Sequence, residues 1–379
     1  MKLLVNGQAA FDCIFKRIDE ARHSIEIGMF IWRNDQIGNA LAQKLLLAAD
    51  RGVKITIRKD KLGAIFEYCE ETRQSFFHHN LSFWMKFQAW FLHISYPMQG
   101  KSKHCIQTKS PLLKRIISHE NIIINCEQCL NDHSKYYIFD HAEMIIGGVN
   151  VEDKEVDMDV EGKKYHDYMV HINNEIIVKS FRKSLEFGVD IHRDIHCDKN
   201  KKEIDFIINA FDKNKKRMQA REALVNRIEQ AQSTIVIVMA YISDLKLMNS
   251  IKKAVFNGVK VTIYIPRKAN FQNDVNLFFI SKLMKKCNNQ IKINLCDDMI
   301  HGKLIWIDEK YVNFGSINFN KQAMDKLQEC NIGMRSDVYL LNESIIKSIT
   351  EIQENSQQIH CPTKLDYDGY NVFLERMLG

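Results

Sequence analysis

The chain has 379 residues, 45% of them hydrophobic and 26% charged, the proportions of a water-soluble globular protein with room for two or three domains. Four prolines and sixteen glycines exclude long low-complexity linkers. A formal net charge of +6 suits an acidic partner, anionic lipid or nucleic acid, without choosing between them.

The opening apolar stretch, Met1–Gly7, is too short for a signal peptide, and no run of 18 clean apolar residues follows, so no leader and no spanning helix is expected. A repeat comes next. Residues 14–57 and 224–265 share one order of elements: a helical pattern to Ala21 or Ala231, then an apolar strand, Ile25–Phe30 or Ile235–Tyr241. A second amphipathic helix then closes at Gly52 or Gly258, ahead of a short β-branched strand. That order predicts an α/β protein of two similar lobes, each a mixed sheet flanked by helices. The lobes are expected at 1–200 and 201–379, dividing near the polar stretch 196–205.

The copies differ in length. Gly52 and His133 are 81 residues apart, Gly258 and His301 only 43, so the first lobe carries an insertion of about 38 residues within 61–120. In it, Phe77, Leu81, Trp84, Phe87 and Phe91 are expected to share one helical face, either covering the lobe or dipping into a lipid interface. Lys101, Lys103, Lys109, Lys114 and Arg115 follow and would suit an anionic surface. The ten cysteines of so long a chain read as reduced thiols of a cytosolic protein. Cys126 and Cys129 form a lone CxxC without the second pair that zinc needs, and His78, His79 and His93 fit no common metal spacing, so no metal is expected.

Chemistry concentrates in two segments that align without gaps, "HSKYYIFDHAEMIIGGVN" from His133 and "HGKLIWIDEKYVNFGSIN" from His301. Lys135 and Lys303 follow the histidines by two, Asp140 and Asp308 by seven, and Asn150 and Asn318 by seventeen. Residues two apart on a strand share a face, so each copy presents an imidazole beside an ammonium. Asp140 and Asp308 fall at turns, and Gly147–Gly148 or Gly315–Ser316 let the returning backbone pass closely. Lysine and asparagine donors would hold the non-bridging oxygens of a phosphodiester. A histidine serves as nucleophile or as general acid, and two copies meeting at the interface of the lobes would supply both roles. Asp167 and Glu329, each just before an apolar strand, are candidates to orient the imidazoles.

These residues resemble the HxKxxxxD and GGxN/GSxN motifs of the phospholipase D superfamily. The opening "LLVNGQAAFDCIFKRIDEARHSIEIGMFIWRND" is similar to its cardiolipin synthase branch. The resemblance spans about residues 3–340. It implies a metal-free and cofactor-free two-step reaction through a phosphohistidine, with His133 as nucleophile and His301 as general acid, then base. Lys135, Lys303, Asn150 and Asn318 would grip the phosphate, and Asp140 and Asp308 would tie the turns. Tyr165–His166 stands where Trp–Arg is common in the branch, and no counterpart of the N-terminal membrane helices of many cardiolipin synthases is expected. The expected function is a phosphatidyltransferase or phosphodiesterase acting on phospholipid at an anionic membrane surface, peripheral and cytoplasmic, with no obligate protein partner. Export without a classical signal is left open. A nuclease of the same superfamily and an inactive lipid-binding scaffold are the alternatives.

Overall fold

The computed structural model describes residues 1–70, 75–78, 80–95, 109–126, 131–157, 159, 162–187, 204–212 and 215–378. They divide into two compact units, Met1–Arg182 and Lys183–Gly379. The division expected at residue 200 lies outside the described residues, as do most of 196–205 and Lys101, Lys103, His79 and Cys129.

The first unit runs β1 (Lys2–Val5), α1 (Asn6–Glu20), β2 (Ser24–Met29), α2 (Gln36–Asp50), β3 (Lys54–Lys59), α3 (Gly63–Glu70), α4 (Phe83–Ser95), α5 (Pro111–Ser118) and β4 (Ile122–Asn125). It continues through β5 (Tyr136–Phe139), β6 (Glu143–Gly147), β7 (Tyr165–His166), β8 (Tyr168–Asn173) and the start of α6 (Glu175–Phe187), which runs on past the division at Arg182. Its sheet has the order β1-β8-β6-β5-β2-β3-β4. β2, β3 and β4 are parallel and the remaining pairs antiparallel.

The second unit contains β9 (Ile204–Asp212), β10 (Lys215–Met218), α7 (Ala220–Glu229), β11 (Thr234–Met239), α8 (Leu245–Phe256), β12 (Lys260–Pro266), α9 (Asn273–Lys286) and β13 (Lys292–Cys296). Then come β14 (Met299–Ile300), β15 (Lys303–Ile307), β16 (Tyr311–Gly315), α10 (Lys321–Asp325), β17 (Glu329–Arg335), α11 (Asn342–Glu354), β18 (Ser356–Ile359) and α12 (Gly369–Leu378). Its sheet, ordered β10-β9-β17-β16-β15-β11-β12-β13-β18, repeats the same core: a parallel trio beside antiparallel hairpins.

The repeated elements form for repeated reasons. α1 buries Ala10, Phe11, Ile14 and Ile18, and α7 buries Leu224 and Ile228, spacings that put one apolar stripe on the sheet. Asp35 caps α2 by accepting the Gly38 N–H, and Asp244 caps α8 by accepting the N–H groups of Lys246 and Leu247. Both helices end at a glycine with positive φ, Gly52 at 93° and Gly258 at 87°, a conformation that is strained for residues carrying a Cβ. The next N–H returns to the helix, Val53 to the Ala48 carbonyl at 3.1 Å and Val259 to that of Ala254 at 3.0 Å. The apolar strand then pairs in register, Ile25 with Ile55 and Ile235 with Val261.

The insertion departs from the expected single face. α4 begins at Phe83, so Phe77 and Leu81 precede it. Phe77 packs its ring edge on Trp32 at 5.2 Å, and Leu81 is buried. The Phe76 N–H bonds the Trp32 carbonyl at 3.0 Å, drawing this stretch onto the core before the helix can start. Among the described residues, no helix is long and apolar enough to cross a membrane.

One device joins the distant parts of each repeat. The turn after β5 holds Asp140 and His141 at φ 49° and 59°, and the turn after β15 holds Asp308 and Glu309 at 53° and 55°. From there the Asp140 carboxylate accepts the N–H groups of Arg22 (2.9 Å), His23 (2.7 Å) and Ser24 (2.9 Å), where α1 gives way to β2. Asp308 accepts those of Gln232 (2.9 Å), Ser233 (2.7 Å) and Thr234 (2.9 Å) in the same way. Partial burial raises both carboxyls, but the backbone donors outweigh it and hold them below the ordinary carboxylate range. Removing either carboxylate strands three donors. Asp140→Ala and Asp308→Ala should each cost about 2 kcal/mol in urea unfolding. The stabilisation is present above the ordinary aspartate pKa and is lost as pH falls through the depressed folded value, so the difference between wild type and variant should shrink in acid.

Candidate active site

His133 and Lys135 lie in extended chain leading into β5, and His301 lies two residues before Lys303, the first residue of β15. The pair therefore enters its strand rather than sitting within it. In the first unit β2 has ended at Met29, and Phe30 turns its ring across His133, with centroids 4.6 Å apart at 76°. Lys135 is buried. Its Nζ donates to the His133 carbonyl at 2.6 Å and stands 5.3 Å from the centre of the Phe30 ring, so an acceptor and a π-face offset part of its desolvation.

The flanks of His133 are fixed by two carboxylates. Asp60, just beyond β3, accepts the Asp132 N–H at 2.8 Å and the Gly63 N–H at 3.0 Å. Asp132 accepts the Ser134 N–H at 3.1 Å and also the Ser134 hydroxyl. Burial pushes Asp60 up to about 6 against the pull of those donors and of Lys59, and burial raises Asp132 as well. Nothing in the motif itself points to Asp60. The only signal is a charged pair, Lys59–Asp60, at the end of a strand whose apolar residues are Ile55 and Ile57.

Past β6, which Gly147 ends, Gly148 lies against Asp167: a Cβ there would come within 2.2 Å of the Asp167 Oδ1. Asp167 is buried just ahead of β8, and its Oδ1 accepts the Tyr168 N–H at 2.7 Å. Asn150 is buried too. Its Nδ2 donates to Glu152 at 3.3 Å, while its Oδ1 is buried without a hydrogen-bond partner. Glu152 is the hub of an ionic group that the motif does not include. It bonds Arg33 at 2.7 Å and Lys154 at 3.3 Å, all three buried. Beside it the Trp32 N–H donates to Glu67 at 2.8 Å, and Lys59 pairs with Glu67 at 3.0 Å. Asp35 sits against Asp153. Burial first, and that neighbouring charge second, raise its carboxyl well above the ordinary value.

The second unit repeats the backbone and changes the chemistry. Lys303, buried, is opposite Met239 on β11, and the Gly302 carbonyl accepts the Ala240 N–H at 3.1 Å. His301 is buried. After Gly315, which ends β16, Ser316 exchanges bonds with Cys330, its N–H donating at 3.0 Å and its Oγ accepting at 2.9 Å. Asn318 is buried, again with an Oδ1 that has no hydrogen-bond partner. Glu329, the buried first residue of β17, pairs with Asn209. Where the first unit uses Glu67, the second uses Asn276, whose Oδ1 accepts the Ile242 N–H at 2.8 Å. Where the first has Glu152, the second has Asn320, capping α10 through the Ala323 N–H at 2.9 Å.

Each unit thus holds a histidine, a buried lysine and a buried asparagine around one hairpin, with a buried carboxylate where the next strand begins. Such a set can hold an anionic oxygen and move one proton. The remaining candidates carry no such arrangement. His93 donates from Nδ1 to the Cys69 carbonyl at 2.8 Å, and Cys126 is a free thiol.

The family described as cardiolipin synthase, phospholipase D-like domain, matches residues 14–187 and 224–355. A cardiolipin synthase of Listeria monocytogenes serotype 4b (strain CLIP80459) is 22% identical over 383 residues, covering 96% of this chain and 72% of that protein. Cardiolipin synthase A of Pseudomonas putida (strain W619) is 45% identical over a stretch of 64 residues, 17% of this chain and 13% of that one. Among solved structures, the phosphatidylserine synthase of Haemophilus influenzae Rd KW20 shares the fold, with a TM-score of 0.67 at 13% identity over 100% of this chain and 91% of that chain. The polyphosphate kinase of Porphyromonas gingivalis follows, with a TM-score of 0.56 at 11% identity over 100% of this chain and 52% of that one.

Two substitutions test how the first half-site is held. A carboxyl raised on folding stabilises the fold fully below its ordinary pKa and loses that contribution as pH rises through the folded value, about 6 for Asp60. Between pH 4 and pH 7 the stability advantage of wild type over Asp60→Asn should therefore fall by roughly 2 kcal/mol. A pH-independent difference would refute the role given to burial. Gly148→Ala must displace the Asp167 carboxylate and should cost about 1–3 kcal/mol of stability, with turnover falling alongside.

Proposed function

Because this chain belongs to the cardiolipin synthase phospholipase D-like domain family and is an enzyme of the phospholipase D type, we propose that it transfers phosphatidyl groups between phospholipids and alcohol or water acceptors through a phosphohistidine. The observation that carries this reading is the survival of both His-x-Lys-x4-Asp segments, each with its lysine buried beside its histidine's chain.

The roles follow from the chemistry. A His133 ring nitrogen attacks phosphorus, the bond from phosphorus to the leaving alcohol oxygen breaks, and His301 gives that oxygen its proton. In the second step His301 takes a proton from the incoming alcohol or water, whose oxygen displaces the His133 nitrogen. Lys135, Lys303 and the N–H groups of the Asn150 and Asn318 amides hold the non-bridging oxygens. Asp167 and Glu329 hold the imidazoles in the working tautomer. On this reading the protein works peripherally, at the cytoplasmic face of a phospholipid surface.

Purified protein should be incubated with mixed phospholipids, with and without glycerol, and the lipids read by mass spectrometry. New phosphatidyl alcohols establish transfer, and phosphatidic acid alone establishes hydrolysis. DNA cleavage in EDTA without lipid turnover overturns the reading. His133→Ala and His301→Ala should each lower turnover by about 10³-fold or more. Only His301→Ala keeps the nucleophile and should accumulate a covalent phosphatidyl-enzyme. Full activity in either variant would sink the mechanism.

A further inference from the structure

We propose that α4 is a docking helix that lays its outer face into the interface of an anionic phospholipid bilayer. The inference rests on the phospholipid reading for its purpose, although binding is measured apart from turnover.

The helix is apolar on two sides. Ala89 is buried and Met85 and Leu92 are half-buried, spaced to form the face turned to the protein. Phe83, Phe87, Trp90 and Ile94 recur at the spacing of a second stripe and are 75%, 46%, 56% and 55% exposed, with Trp84 beside them at 71%. The rings touch one another in sequence, Phe83 with Trp84 at 5.9 Å, Trp84 with Phe87 at 6.3 Å and Phe87 with Trp90 at 5.7 Å. They form one patch rather than scattered exposures. In the second unit α9, which also follows the second strand of its parallel trio, instead buries Val275, Phe279, Ile280 and Leu283.

Phenylalanine and tryptophan are the side chains that settle at the headgroup level of a bilayer. Thirteen residues at 1.5 Å each reach about 20 Å, too short to span, so the helix lies in the surface. The charge around it selects the lipid. Residues 72–119 contain no Asp or Glu, although the whole chain has 47 in 379, or about six per 48 residues. The same run carries seven cations, of which Lys86, Lys109, Lys114 and Arg115 are exposed in the described residues. Such a face is attracted to anionic headgroups and repels a second copy of itself.

The test uses the full chain and vesicles of phosphatidylcholine with or without phosphatidylglycerol. Trp32 and Trp306 are buried, so a blue shift of tryptophan emission on binding reports Trp84 and Trp90. Co-sedimentation and a blue shift are expected with phosphatidylglycerol vesicles, both weakening as salt rises. The double variant Trp84→Ser/Trp90→Ser should lower the bound fraction about tenfold while turnover of a monomeric short-chain phospholipid stays at the wild-type level. His133→Ala should bind as wild type does. Absence of binding and blue shift, or equal binding by the double variant, overturns the proposal. So does a concentration-dependent dimer that the double variant abolishes. Vesicle binding without turnover of the short-chain lipid would instead strike the proposed function and leave the docking helix standing.

Discussion

A carboxylate that takes three consecutive backbone N–H groups organises each half of this protein. Asp140 and Asp308 sit at left-handed hairpin turns and close over the head of the strand neighbouring that hairpin, β2 or β11. The bond set ties the hairpin to the parallel trio at one point and fixes register, since a slip by one residue would turn every side chain to the opposite face. Because the histidine stands seven residues upstream of that aspartate, fixing the turn also fixes where the extended entry to the hairpin lies. Ile25 opposite Phe139 and Ile235 opposite Ile307 are the resulting pairings.

Around this shared clamp the copies meet the same backbone demand with different chemistry. The N–H of the third residue past the strand, Trp32 or Ile242, needs an acceptor in both. Glu67 supplies it with Lys59 as counter-ion, and Asn276 supplies it as a neutral amide. Glu152 binds Arg33 and Lys154 where Asn320 caps a helix. Desolvating a charge is expensive, so the first unit's ionic groups hold only as a fully paired set, whereas each amide of the second is satisfied alone.

Much of this was legible in the sequence because the repeat is a periodic signal. Helices ending near Ala21 and Ala231, the glycines at 52 and 258 and both hairpins reflect local rules of burial and backbone conformation, and strand edges moved by only a residue or two. The less legible parts depend on tertiary partners. His133 and Lys135 precede their strand because β2 stops opposite them and Phe30 fills the space. Asp60 lies 73 residues before His133, a separation no motif spacing encodes. In the insertion the aromatic residues were visible, but their direction was not. Phe77 was drawn onto Trp32 while Phe83, Trp84 and Trp90 were left outside, a choice made by a backbone bond from Phe76.

The replacement of an ionic hub by a capping amide also makes the halves poor donors for one another. Were gene conversion to overwrite residues 148–155 with their homologous tract 316–323, the Arg33 guanidinium would face a neutral side chain in place of its Glu152 carboxylate, inside a region closed to water. Breaking such a pair from one side typically costs about 3–5 kcal/mol, a large fraction of the stability of an ordinary domain. The two halves thus share a backbone plan while their buried polar sets are not interchangeable.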